Sequence, residues 1–325
     1  MKNNRRLAAV LCCAGLLGLT FAAHAQQAYP VRPVKIIVPS AAGGGTDSST
    51  RFMTPRLEEF LGQRIIVENR AGAASMIGSE MVARSAPDGY TLLTGISTIT
   101  IQPSMVKNLS FDTLKDFAPI SQLVILPNIL VGHPSLKPKT VRELVAFAKP
   151  RPGQLEFASA GTGSNLHLCM EMFLSMTGLK MVHIPYKGSG QAIADLGAGF
   201  VPLMITNMIT GTQQVNAGRL HAYGVTSAKR SRSAPDIPTI AEQGVADYEA
   251  VQWYGLMAPA GTPKDIIAKL HKGVVTALQD AKVKELYANH GADPVGNTPE
   301  EFAAVLRTDM AKWAKVVRAA GLSPK

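Results

Sequence analysis

Two short stretches of the chain have the residue types and spacing to hold a small anion. Val38-Pro39-Ser40-Ala41-Ala42-Gly43-Gly44-Gly45-Thr46-Asp47 and Ser159-Ala160-Gly161-Thr162-Gly163-Ser164-Asn165 each set a glycine-rich turn between an apolar strand pattern and a helical one. A helix start has unpaired N–H groups and a partial positive charge, so it attracts anions. Glycine lets the backbone approach a ligand closely, and Thr46, Ser164 and Asn165 add side-chain hydrogen-bonding groups. For either turn alone, a tight strand-to-helix connection explains the glycines equally well. Two such turns on separate domains, facing one cleft, would form two walls that grip a small carboxylate on closure. His167, just inside the second helix, is either a ligand contact or a local packing and capping residue. Asp47 reads as a stabiliser of its loop and helix start rather than as a general base.

Other chemistries lack their residues. Gly161 and Gly163 are followed by Leu166 where a dinucleotide fingerprint needs its third glycine, and no G-x-x-x-x-G-K-[ST] occurs. Gly95-Ile96-Ser97 fails as a nucleophile elbow at Ile99. There is no H-E-x-x-H and no paired-cysteine spacing. With no acid, base and nucleophile to assemble, the sequence argues against an enzyme, and it calls for no metal or cofactor.

The elements that must position the two turns alternate along the chain. Lys35-Ile36-Ile37-Val38, Arg64-Ile65-Ile66-Val67-Glu68 and Tyr90-Thr91-Leu92-Leu93-Thr94 read as strands, with helices to about Leu61 and around Ile77 to Ala83. The pattern restarts at Leu155–Ser159, Met181–Pro185, Val201–Ile205 and Leu220–Val225. Strands separated by helices predict mostly parallel sheets covered on both faces. The apolar stretches 121–131 and 251–258 are the expected crossings between two α/β units, the second inserted into the first. After Thr262-Pro263 the spacing predicts two amphipathic helices with no strand between them. The fold class is therefore two-domain α/β, with residues 26–128 and 253–325 in the first domain and 129–252 in the second.

Composition supplies the address. The 325 residues carry 33 Lys+Arg and 23 Asp+Glu, a formal charge of +10, with 46% hydrophobic and 17% charged residues, which excludes a disordered chain. Lys2, Arg5 and Arg6 precede an apolar run from Leu7 to Ala23, and Ala23-His24-Ala25 has the small-x-small pattern of a signal-peptidase site. Cleavage after Ala25 removes three basic and no acidic residues, so +10 becomes +7 on 300 residues, and it removes Cys12 and Cys13. Cys169 then stands alone in an apolar stretch and reads as a buried thiol. Lys229-Arg230-Ser231-Arg232 is the one tight basic cluster, without aromatic residues, so no nucleic-acid partner is expected.

The series of motifs resembles one family. Ile36-Ile37-Val38-Pro39-Ser40 with the following glycine turn, Val67-Glu68-Asn69-Arg70-Ala71-Gly72, Pro87-Asp88-Gly89-Tyr90-Thr91-Leu92, Gly161-Thr162-Gly163-Ser164 with His167-Leu168, Pro185-Tyr186-Lys187-Gly188, Pro235-Asp236-Ile237-Pro238-Thr239 and Trp253-Tyr254-Gly255-Leu256 run in order along nearly all the mature chain. Together they resemble the Bug-type periplasmic solute receptors of tripartite tricarboxylate transporters. The resemblance implies a two-lobed, cofactor-free flytrap of type II that closes on a small carboxylate in the periplasm and delivers it to a membrane permease; a membrane sensor is the alternative partner. A monomer is expected. It implies a first wall of Ala42, Gly43, Gly44, Gly45, Thr46 and Asp47. The second wall would be Ser159, Gly161, Thr162, Gly163, Ser164 and His167, with Ser97, Thr98 and Asn207 as further contacts. Two departures stand out: Asn69–Ser75 lacks the more usual proline and extra glycine, and Asn207 stands where relatives often have an acid, which leaves the ligand type open.

Overall fold

Runs rich in Ile, Val and Leu, each followed by a helical pattern, build two sheets. A computed structural model of the chain describes residues 29–40, 42–186 and 189–324. The expected leader and cleavage site, Cys12, Cys13, Ala41, Lys187 and Gly188 lie outside the described residues. From Arg32 onward the chain packs as one unit. Its first part runs β1 (Val34–Val38), α1 (Gly45–Leu61), β2 (Ile65–Asn69), α2 (Met76–Ala83), β3 (Thr91–Ile96), the short α3 (Gln102–Met105) and β4 (Phe117–Leu126). The middle is β5 (Asn128–Gly132), α4 (Val141–Ala148), β6 (Glu156–Ser159), α5 (Asn165–Thr177), β7 (Val182–Pro185), α6 (Ser189–Gly197), β8 (Leu203–Asn207), α7 (Met208–Asn216) and β9 (His221–Val225). The chain ends with β10 (Gln252–Pro259), α8 (Lys264–Gln279), α9 (Ala281–Asn289), β11 (Asp293–Pro294) and α10 (Pro299–Ala319).

One sheet has the order β11-β4-β10-β3-β1-β2 and the other β7-β6-β8-β5-β9. Both are mixed, which corrects the expectation of mostly parallel sheets. β1 is parallel to β2 and β3, but β10 is antiparallel to β3 and β4, and β11 antiparallel to β4. In the other sheet β6 is parallel to β7 and β8, while β5 is antiparallel to β8 and β9. The reason lies in the crossings. Only Pro127 separates β4 from β5, so the chain passes from sheet to sheet in extended form with no crossover helix to impose a parallel partner.

The C-terminal region departs from expectation in two ways. Three helices follow Thr262, and a two-residue strand lies among them. Asp280 ends α8 in an extended conformation, and its carboxylate caps α9 by accepting from the Lys282 and Val283 N–H groups; a short acceptor side chain competes with helix continuation in this way. The cap of α8 lies one residue beyond Thr262. Pro263 is the cap residue, and the Thr262 hydroxyl donates back to the Pro259 carbonyl at 2.7 Å. Thr298 does form a full capping box with Glu301, and Thr140 accepts from the Glu143 N–H.

The core of the first sheet gathers Ile37, Leu93, Phe117, Trp253, Met257 and Phe302. Buried Trp253 donates to Asp309 on α10 at 2.7 Å. Under the second sheet, Phe157, Leu168, Phe173 and Tyr248 share a cluster with Trp313 and Val317. The last turns of α10 thus pack on α5, and one helix braces both sheets. Cys169 sits in this cluster with its thiol pushed up to about 12 by burial, so it is an inert packing residue. Arg230 of the basic cluster is paired with Glu242 and donates to the Pro235 carbonyl.

Candidate ligand site

The first glycine turn is held from below by one carboxylate. Asp47, in the first turn of α1, is buried, and its oxygens accept from the Gly43 N–H at 2.9 Å, Arg51 Nε at 2.9 Å and Asn69 Nδ2 at 3.0 Å. The Asn69 amide also donates to the Ser40 carbonyl, tying the turn to β2. Burial alone would raise the Asp47 carboxyl; the hydrogen bonds from Arg51, Gly43 and Asn69 and the Arg51 charge outweigh it and hold it below its ordinary value. Asp47 is thus fully engaged within the protein and shapes the turn. Gly44 caps α1 with no side chain in the way. Gly45 lies against the aromatic hydroxyl of Tyr254 on β10, where a Cβ would stand 2.9 Å from it. Thr46 is buried and hydrogen-bonds that hydroxyl. Ala42 and Gly43 are exposed at the rim.

The second turn is held from below by imidazoles. His167 Nδ1 accepts the Gly163 N–H at 3.0 Å, and its Nε2 lies 3.4 Å from Glu171. The ring stacks on His183 with centroids 3.8 Å apart, and Phe157 extends the stack. Ser159 is buried, with Oγ 2.6 Å from His183 Nε2, and it accepts the Gly161 N–H at 3.1 Å. Ser164 caps α5 by accepting from the His167 N–H. Gly161 and Gly163 are left between these anchors, and Thr162 is exposed at the tip. Gly163 has φ +77°, and a Cβ there would lie 2.5 Å from Met105 Cε, so this turn meets the α3 region of the first sheet.

The imidazole stack carries a pH dependence. Burial, then the neighbouring His167, push His183 down from 6.5 to about 4, against an upward pull from Glu171. Between pH 4 and 6.5 the unfolded chain therefore binds more protons at this site than the folded one, and stability falls as pH falls through that window. The melting temperature should drop between pH 6.5 and pH 4.5, and His183→Phe, which retains a stacking ring, should flatten the drop. An identical slope in the variant would show that other groups set it.

The remaining predicted residues lie at the same strand ends. Ser97 and Thr98 follow β3, the parallel neighbour of β1, so they share an edge with the first turn. Asn207 ends β8, the parallel neighbour of β6, and shares an edge with the second. Asn207 is exposed and caps α7, its Oδ1 accepting the Thr210 N–H at 2.9 Å. Open α/β sheets bind ligands at such carboxyl ends. Among the described residues, Ser40 Oγ, Ser97 Oγ, Thr98 Oγ1 and Asn165 Nδ2 are buried polar atoms without a protein partner. An unsatisfied buried group costs about 1–3 kcal/mol, a cost that a ligand oxygen or bound water at these edges would offset. Gly45 and Asn207, from the two sheets, line one cavity of about 280 Å³ with Asn128 and Tyr254 on the crossing strands.

These features suit the binding of a small solute, and known proteins resemble the chain along most of its length. Residues 50–322 match the model of the tripartite tricarboxylate transporter family receptor, TctC. The chain belongs to that family. It is 39% identical over 299 residues to Protein BugT of Bordetella pertussis, covering 91% of this chain and 92% of that protein. Two solved structures illustrate the likeness. Rpa4515 of R. palustris, solved with adipate, has 34% identity and a TM-score of 0.75 over 91% of this chain and all of that one. MatC of Rhodopseudomonas palustris, with bound malate, has 31% identity and a TM-score of 0.71 over 89% of this chain and all of that one. TctC relatives are periplasmic solute-binding receptors and not enzymes.

The sequence did not single out Tyr254, Asn128 or Ser40 for the site. Tyr254 stands in a motif that marks the TctC resemblance, yet its place beside Gly45 is a contact across some two hundred residues that no local pattern encodes. The functions of His167 and Asp47 were more accessible. Each lies four residues after the glycine N–H that it anchors.

Proposed function

We propose that this TctC-family chain is an exported receptor, its leader removed after Ala25, that captures a small carboxylate between its two glycine turns and presents it to a membrane permease. Residues 26–128 with 253–325 and residues 129–252 form the two lobes, and the receptor acts as a monomer. The observation that carries the reading is the pair of glycine-opened helix starts, one on each sheet, with unpaired Ser97, Thr98 and Asn165 groups at the same edges. The N-terminus of each helix contributes N–H groups to a carboxylate without requiring a cation, which suits a site that must also release its ligand. The adipate and malate carried by the two relatives support this class of ligand. The +7 of the mature chain helps to steer anions to the cleft.

A thermal-shift panel of mono-, di- and tricarboxylates tests it. A ligand at 100 times its Kd adds about 2.7 kcal/mol, so at least one carboxylate should raise the melting temperature by several degrees while neutral analogues of the same shape leave it unchanged. A flat response across the panel contradicts the proposal.

A further inference from the structure

We infer that Arg232 on the second lobe and Asp293 on the first meet as an ion pair when the lobes close, a latch that holds the closed form. Resting on the two-lobe reading above, the latch adds what closure itself joins. A cavity of about 270 Å³ has Arg232 and Ser233 on one side. Lys284 and Glu285 of α9 and Asp293 of β11 line the other side. No residue of either glycine turn lines it.

Each side chain stands on backbone fixed to its own lobe. The Ser231 and Ser233 hydroxyls are hydrogen-bonded at 2.9 Å, and the Ala234 N–H donates to the Ser231 carbonyl, so Arg232 sits on a tight turn. Asp293 is paired with Ile125 on β4, and the Val295 N–H donates to the Leu123 carbonyl. Apart from side-chain rotation, only lobe movement changes the gap between them. The lobes already touch beside it: a Cβ on Gly291 would stand 3.3 Å from Met208 Cβ and Ile209 Cγ1 of α7.

The charges are placed to attract. Burial raises the half-buried Asp293 carboxyl and Arg232 pulls it down, with no hydrogen bond contributing. Such a carboxylate gains from a guanidinium, which can approach it with two parallel N–H groups. Lys284 Nζ is turned instead to Gln279 Oε1 at the end of α8, 2.8 Å away. Arg232 is thus the cation that the other lobe supplies, and Glu285 is the second acid on the facing wall.

A water-soluble carbodiimide joins a lysine amine to a carboxylate where the two touch, and it traps brief contacts, so no ligand is needed. In Arg232→Lys, mass spectrometry should find an amide between positions 232 and 293, with Lys35 and Glu68, 2.8 Å apart, as the internal control. Sodium chloride at about 0.5 M should cut the 232–293 yield roughly threefold by screening the pair. Charge reversal tests the energy: Arg232→Glu and Asp293→Arg should each lower the melting temperature by about 1 °C, and the double exchange should restore most of the loss. An amide from 232 to 285 instead, no interlobe amide while the control forms, or no recovery in the double exchange would overturn the latch. None of these outcomes involves a carboxylate ligand, so the carboxylate reading stands or falls on the thermal-shift panel alone.

Discussion

Asp47→Ala should lower the melting temperature by about 5 °C and weaken carboxylate binding at least tenfold. The substitution removes one acceptor from three donors: the Gly43 N–H, the Asn69 amide and the Arg51 guanidinium. Breaking a wholly buried pair costs about 3–5 kcal/mol. Arg51 is half exposed and can turn to water, so about 2–3 kcal/mol is the expected loss. A domain of this size shifts by about 2 °C per kcal/mol. Asp47→Asn retains an oxygen for the Gly43 N–H and loses the charge, so it should fall between wild type and alanine in both stability and affinity. The depressed Asp47 carboxyl gives stability that is present above its unfolded value and is lost as pH falls through the folded one. Acid unfolding of Asp47→Ala should accordingly be shallower. An Asp47→Ala protein with wild-type affinity would show that the first turn holds its shape without this anchor.

Gly163→Val should abolish measurable binding at millimolar ligand while costing about 2 kcal/mol of stability. A β-branched residue at φ +77° is strongly disfavoured, and such strain costs about 1–3 kcal/mol. Relaxing it would turn the Gly163 N–H away from His167 Nδ1 and move the tip of the turn. The added side chain would also press on Met105 at the end of α3. Combining Gly163→Val with Met105→Ala separates the two effects. The double variant should relieve only the Met105 clash and regain little affinity, because the backbone strain at φ +77° stays. Full recovery of binding in the double variant would place the defect in the Met105 contact instead.

Much of this site could be read from the chain because its anchors are local. Each glycine turn lies between an apolar strand pattern and a helix start, and Asp47 and His167 each follow their glycine by four residues. Both sheets were likewise visible in the alternation of strand and helix patterns. The parts that were not visible depend on contacts distant in sequence. The antiparallel placement of β5 follows from the extended crossing at Pro127, and that of β10 from its seating between β3 and β4 after a long turn-rich segment, and no residue within either strand encodes its neighbour's direction. Tyr254 reads as one more apolar position until β10 is seated beside β3 and its hydroxyl reaches Gly45. The break at Asp280 was there to be read, but the strong periodicity of Leu270, Val274 and Leu278 masks a cap residue immediately after it. Asn207 shows the same limit: its cap on α7 is local, whereas its share in the cavity with Gly45 is not.

The central claim is that one carboxylate is held by both turns at once. Amide-resolved nuclear magnetic resonance during titration with a carboxylate from the thermal-shift panel tests it most directly. The account predicts that the N–H signals of Gly43, Gly44, Gly45 and Thr46 and those of Gly161, Thr162, Gly163 and Ser164 shift together, with one saturation curve. Shifts confined to one turn, or to residues away from both, would contradict it.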